Sequence, residues 1–232
     1  MTERTIEREY SEAIPPQYLD GFAVFMGRRI KVDPRVLIPR PETEILVRTA
    51  KDEIELSGKK KSRILDMCTG SGAVAIALAE ILPDVKITAA DISREALEVA
   101  EDNLRHFGFA GRIELAVSDL FSAFGNDSEN LFDAIVSNPP YVSDRDFKLL
   151  DPWVKAEPAI ALFAGEKGMD YLSRICEESP KFLKDGGFLA VEIGYDQYPA
   201  VTQKMAECGF SEIKSFKDEN GYDRVIMGQK NV

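Results

Sequence analysis

The sequence predicts an α/β fold: a mostly parallel sheet with helices on both faces. Three observations carry this. From Arg63 onward, short apolar runs alternate with segments of helical period. A glycine-rich turn, "CTGSG", joins the first run to the first helix of that series. The chain closes on two β-type runs around "ENGY", a turn signal that makes one strand antiparallel to the rest.

The elements follow in order. The first fifteen or so residues are polar and read as frayed or helical. "YLDGFAVFMGRRIKV" (18–32) holds two apolar-aromatic stretches around Met26-Gly27, a small hairpin. In "VLIPRPETEILVRTAKDEIEL", Pro41 suits a first helical turn, acids follow it, and Ile45, Leu46, Thr49, Ala50 and Ile54 share one face. "RILDMC" is a buried strand, "GAVAIALAEIL" a helix and "KITAAD" a strand. "SREALEVAEDNLRHFG" is a helix capped by Ser93 and stopped by Gly108. "RIELAVSD" and "LFDAIVSN" are strands, and "GMDYLSRICEESPKFLKDGG" is a helix ending at a glycine pair. "GFLAVEIG" is a strand, "YPAVTQKMAECG" a helix, and "EIKSFKD" and "DRVIMGQ" form the closing hairpin. No repeat, linker or low-complexity tract interrupts the series.

Bulk properties narrow the function. At 232 residues the chain suits one domain with a full core. It is 44% hydrophobic and 30% charged, an ordinary globular balance. Forty acids against 29 bases leave a formal charge of −11, which disfavours direct nucleic-acid binding. Three dispersed cysteines without a CxxC argue against disulfides and zinc, so no metal is expected and a reducing cytoplasm fits. The first residues lack an apolar core of the secretory type. The longest clean apolar run, "AVAIALA", is too short to span a membrane. The single histidine, His106, closes a helical pattern beside a glycine and reads as a surface residue.

The candidate chemistry begins at "DMCTGSGAVAIALA". Gly70 and Gly72 permit a tight turn and close approach of backbone amides to a ligand, and Ala75 permits close helix packing. Asp91, ending "KITAAD", is placed for ribose hydroxyls. Asp119, ending the next strand, is placed for an adenine amino group, with Leu120 covering one face of the ring. These features accept a nicotinamide cofactor or S-adenosylmethionine equally well.

"NPPY" (138–141) decides between them. The Asn138 side-chain carbonyl and the Pro139 carbonyl are two acceptors at one corner, matched to the two hydrogens of a planar amino group. Tyr141 offers a ring for stacking. Two hydrogen bonds push an amide nitrogen toward tetrahedral geometry and aim its lone pair, which serves in-line methyl transfer. No strong base is required, so a single histidine is no obstacle.

At this point the chain resembles the release-factor glutamine methyltransferases, the HemK/PrmC family. The resemblance rests on "VLIPRPETEILV", "LDMCTGSGAVAIALA", "FDAIVSNPPYV", "AEPAIALFAGEKGMDYLSRI" and "FLAVEIGYDQ", in the family's order. It implies a seven-stranded, Rossmann-like class I S-adenosylmethionine methyltransferase fold. It implies N5-methylation of a glutamine amide, typically in the GGQ loop of a peptide chain release factor. Residues 1–57 would form a short segment with hairpin and helix, and 58–232 the catalytic domain. Carried over, Cys68, Thr69, Gly70, Ser71, Gly72, Asp91, Asp119, Leu120 and Asn138 fall on the cofactor site. Asn138, Pro139, Pro140 and Tyr141 fall on the glutamine site, with Asn138, Pro139 and Tyr141 the catalytic group. Arg40 and Glu42, in "PRPETE", would border it; an ion pair holding the N-terminal segment is an equal reading of Arg40. Only about fifteen residues stand where the bacterial family usually has a helical N-terminal domain. That leaves room for a partner subunit, and for another substrate: a ribosomal-protein glutamine or a small amide. An adenine-N6 nucleic-acid methyltransferase is the more distant alternative, since "NPPY" alone fits it too.

Overall fold

In a computed structural model the described residues are 14–59, 61–125 and 131–231. The expectation for the polar start falls on residues 1–13, outside them. A short helix, α1 (Pro16–Asp20), leads into a hairpin of β1 (Phe22–Phe25) and β2 (Arg28–Lys31). Met26 and Gly27 both take positive φ, 48° and 74°, the turn that matches strand twist in a two-residue hairpin.

Helix α2 (Thr43–Leu56) follows. Pro41 lies just ahead of the helix rather than inside its first turn. Then come β3 (Arg63–Met67), α3 (Ala73–Ile81), β4 (Lys86–Asp91), α4 (Arg94–Phe107), β5 (Ile113–Val117) and β6 (Phe132–Ser137). Ser93 caps α4 by accepting from the Ala96 N–H, and Gly108 ends it at φ 75°.

The main sheet has seven strands in the order β5-β4-β3-β6-β7-β9-β8. Strands β7 (Leu183–Glu192), β8 (Phe210–Lys217) and β9 (Asp223–Lys230) complete it, and β9 runs antiparallel to both of its neighbours. Strand alternation divides the core. Ile64, Ala134 and Ala190 face α2 and α3, whose Leu46, Val47, Ala50, Ile76 and Leu78 are fully buried. Leu65, Ile135 and Leu189 face α7 (Asp170–Glu178) and α8 (Tyr198–Glu207). Helix α2 thus shares one core with the parallel sheet.

Two expectations need correction. The helix expected over 168–187 is α7 alone, followed by a single 3₁₀ turn at Ser179–Lys181, where Pro180 supplies no N–H to continue it. Strand β7 then begins at Leu183, ahead of the glycine pair, and the register jumps from Phe132↔Leu183 to Ala134↔Phe188. Gly187 suits the excursion, because a Cβ there would lie 2.9 Å from the Lys184 carbonyl and 3.0 Å from that of Asp133. Two short helices went unread, α5 (Asp144–Leu149) and α6 (Pro152–Lys155). Each is too short to show a period; Ser143 and Asp151 cap them.

One buried side chain joins the hairpin to the parallel sheet. Asn103, on α4, accepts from the Lys31 N–H at 2.8 Å and donates to the carbonyls of Lys31 and Ser71 at 3.0 and 2.9 Å. Asn103→Ala removes all three bonds and leaves the buried Ser71 carbonyl without this donor. Unfolding in denaturant should show a loss of about 2–4 kcal/mol; a loss under about 0.5 kcal/mol would mean that the hairpin is held otherwise.

Candidate active site

The cleft lies beyond the carboxyl ends of the parallel strands, where the strand order reverses between β3 and β6. Every sequence-expected position from Cys68 to Ser71, with Asp91, Asp119, Leu120, Asn138 and Pro140, lines it. Gly72, Pro139, Tyr141, Arg40 and Glu42 stand outside that lining.

The loop after β3 is held from below by Asp66, which is almost wholly buried. Its Oδ2 accepts from the Thr69 hydroxyl at 2.6 Å and the Ala75 N–H at 3.1 Å. Burial drives the Asp66 carboxyl up to about 7, against the pull of those two donors. Cys68 takes φ 60°, a left-handed conformation unusual for a residue with a side chain. Gly72 opens α3 at φ 79°, and a Cβ there would lie 3.3 Å from the Ala100 side chain, so this glycine serves helix packing. Asp91 closes the loop from the side. Its Oδ2 accepts from the Gly70 N–H and its Oδ1 from the Ser93 N–H, both at 2.9 Å. Burial raises its carboxyl and these amides pull it back. Asp119 is half-exposed and pairs with Arg174 at 3.0 Å, a partner the sequence did not suggest. Leu120 beside it is buried at φ 46°.

The corner at the end of β6 is fastened on all sides. The Ser137 hydroxyl donates to the Met67 carbonyl at 2.8 Å. The Asn138 Nδ2 donates to the Thr43 Oγ1 at 3.1 Å. Among the described residues no hydrogen bond reaches the Asn138 Oδ1 or the Pro139 carbonyl. The Tyr141 hydroxyl donates to Glu192 Oε1 at 3.0 Å, and Gln197 Nε2 donates to the carbonyls of Tyr141 and Gly168. Burial and the neighbouring Glu192 push the Tyr141 hydroxyl well above its ordinary range.

Glu192 is fully enclosed, and its Oε2 has no hydrogen-bond partner among the described residues. Burial pushes its carboxyl up to about 7, while the nearby hydroxyls of Thr43 and Tyr141 draw it down. Arg40 pairs with Glu157, whose side chain is buried and whose Oε2 also accepts from the Ile38 N–H at 2.8 Å. Thr43, Asp66, Glu192 and Gln197 were absent from the sequence reading. An acid inside the apolar runs "RILDMC" and "GFLAVEIG" was the available signal for two of them. His106 is exposed at the end of α4. The cysteines are free, and the described residues hold no group of three metal-ligating side chains.

Known proteins with these features converge. Residues 41–155 match the family described as methyltransferase small domain. A release factor glutamine methyltransferase of Rhodopirellula baltica is 39% identical over 98% of this chain and 77% of its own. That of Streptococcus pneumoniae is 42% identical over 92% of this chain and 74% of its own. Among solved structures, the release-factor-specific protein-(glutamine-N5) methyltransferase of Alicyclobacillus acidocaldarius superposes with a TM-score of 0.51. It is 29% identical and covers 87% of this chain and 99% of its own.

The raised Glu192 carboxyl has a consequence for stability. Its value of about 7 in the folded chain lies above the ordinary 4.5, so between these limits the folded state binds more protons than the unfolded. Stability therefore falls as pH rises through that window. Glu192→Gln removes this contribution. Unfolding free energies of the two chains should diverge with rising pH between 4.5 and 7, the variant gaining; parallel curves would show that Glu192 is ionised throughout.

Proposed function

The chain belongs to the release factor glutamine methyltransferase family, and from that premise we propose that it moves a methyl group from S-adenosylmethionine to the side-chain amide nitrogen of a glutamine in the GGQ motif of a peptide chain release factor. One observation carries the reading. The Asn138 amide nitrogen is tied back to Thr43, and among the described residues neither its Oδ1 nor the Pro139 carbonyl takes a hydrogen bond, which leaves two acceptors. Two such acceptors match the two N–H groups of a primary carboxamide.

The chemistry of the cleft fits the cofactor. Asp91 and Asp119 line it, carboxyl groups suited to a cationic cofactor. Asp91 retains lone pairs for ribose hydroxyls after accepting from Gly70 and Ser93. Asp119 and Leu120 offer an acceptor and an apolar face to the base, and the 68–72 loop offers backbone at close range. S-adenosylmethionine supplies an electrophilic methyl group.

Asn138 and Pro139 orient the glutamine nitrogen and draw on its N–H bonds, which frees the nitrogen lone pair from the amide π-system. Pro140, in the cleft wall, keeps the corner stiff. Tyr141 holds the corner to Glu192 and remains neutral. With S-adenosylmethionine bound, the C–S electron pair would stay on sulfur as the methyl passed to nitrogen, and the nitrogen would release its proton to water. No basic side chain is needed at the corner, in keeping with an exposed His106. Arg40 acts in this reading through its ion pair with Glu157, bordering the site without entering it. The partner is a protein rather than a phosphate backbone, which the charge of −11 disfavours. No helix among the described residues is long and apolar enough to cross a membrane, and we place the reaction in the cytoplasm, where release factors work.

Labelled methyl should pass from S-adenosylmethionine to a purified release factor and not to its GGQ→GGA variant, with mass spectrometry locating one methyl on the glutamine. Cofactor binding without transfer would send the search to another protein glutamine or a small amide. Asn138→Ala should cut turnover by about tenfold or more with cofactor affinity nearly intact; unchanged turnover refutes the two-acceptor mechanism. Asp91→Ala should weaken cofactor binding by about 1–3 kcal/mol, read by calorimetry.

A further inference from the structure

An asparagine amide can present either end, since a half-turn about its last bond exchanges oxygen for nitrogen at little steric cost. A corner that must offer Oδ1 to an incoming N–H therefore needs something to forbid the flip. Asn138 lines the cleft and, among the described residues, makes one side-chain bond, from Nδ2 to the Thr43 hydroxyl at 3.1 Å. Thr43 is buried at the start of α2, with its own backbone N–H spent on the Arg40 carbonyl. With Nδ2 held on the Thr43 hydroxyl, which accepts there, Oδ1 is the end of the amide left for the cleft.

We propose that Thr43 is a positioning residue for methyl transfer: its hydroxyl, accepting from Nδ2, locks the Asn138 amide with Oδ1 toward the cleft. The inference rests on the amide-transfer reading above and deepens it. A flipped Asn138 would set an NH₂ against the substrate's own NH₂, losing an acceptor and adding a repulsive contact. The cost falls on orientation of the reacting nitrogen, so it appears in kcat rather than in the affinity of a protein substrate held over a wide surface.

Thr43→Val keeps the shape and removes the acceptor; Thr43→Ser keeps the acceptor. The valine variant should lose about tenfold or more in kcat, with KM for the release factor, cofactor affinity and melting temperature near those of the parent. The serine variant should recover most of the loss. Wild-type kcat in the valine variant, or a serine variant as slow as valine, overturns the proposal. A second measurement needs no turnover. The Asn138 side-chain amide resonances in the full chain should show a protected, hydrogen-bonded NH₂ in the parent and serine variant, and lose that protection with valine. Should the parent transfer no methyl to the release factor, the substrate reading fails, and the resonances alone decide: identical Asn138 signals in parent and valine variant overturn the lock, and lost protection upholds it.

Discussion

The Thr69 hydroxyl donates at 2.6 Å to Asp66, a carboxyl almost sealed from water beneath the loop that leaves the central strand. The same oxygen takes the Ala75 N–H from the first turn of α3, so one atom spans the loop from its entry to its exit. Two further side chains complete the clamp. Asp91, on β4, accepts from the Gly70 N–H, and Asn103, on α4, donates to the Ser71 carbonyl. A loop with Cys68 at φ 60° and Gly70 at φ 55° departs from ordinary backbone, and persists because its polar groups are met by side chains on three separate elements. The parallel register delivers those elements together, since Asp66 pairs with Ala89 and Met67 with Ala90 at the edge where the cleft begins.

The opposite wall is built on another principle. Its rigidity comes from two prolines and from bonds that hold the corner from behind. Ser137 fastens to β3, Tyr141 reaches Glu192 on β7, and Gln197 bonds the Tyr141 carbonyl. Gly168 is packed so closely there that a Cβ would lie 2.3 Å from that carbonyl. Among the described residues the Asn138 Oδ1, at the cleft, and the Pro139 carbonyl behind it take no hydrogen bond. Preorganisation of this kind costs nothing at the moment of reaction, which suits a transfer limited by orientation rather than by proton removal.

Much of this was legible in the sequence. Strand and helix alternation carried the sheet; Ser93 and Gly108 marked α4; Met26-Gly27 and "ENGY" marked both hairpins. The cleft's loop and corner were visible because their chemistry is contiguous in the chain. What was hidden pairs across distance. Asn138 and Thr43 are 95 residues apart, Tyr141 and Glu192 51, Lys31 and Asn103 72. Asn103 sits in a helical pattern that reads as an amphipathic surface, and only the approach of the hairpin makes it a buried hub. The end of α7 was misplaced because two glycines resemble a helix stop, whereas here they release four residues from a strand that continues beyond them.

The segment "IPRPET" shows how local and distant information combine. Arg40 could be read as bordering the site or as an ion pair, and its pairing with buried Glu157 supports the second while explaining the first. Glu157 also takes the Ile38 N–H, so residues 38 and 40 are fixed to the stretch after α6. Three residues on, Thr43 meets Asn138. The segment is a strut with one end on Glu157 and the other on the "NPPY" corner. Removing the Arg40 charge would leave a carboxylate buried with one amide for company, a costly state that the strut would relieve by shifting. That shift would be felt at Thr43, and through it at the Asn138 amide. The three separated sequence blocks around Arg40, Asn138 and Glu157 thus form one bonded unit, in which a residue outside the cleft governs the geometry within it.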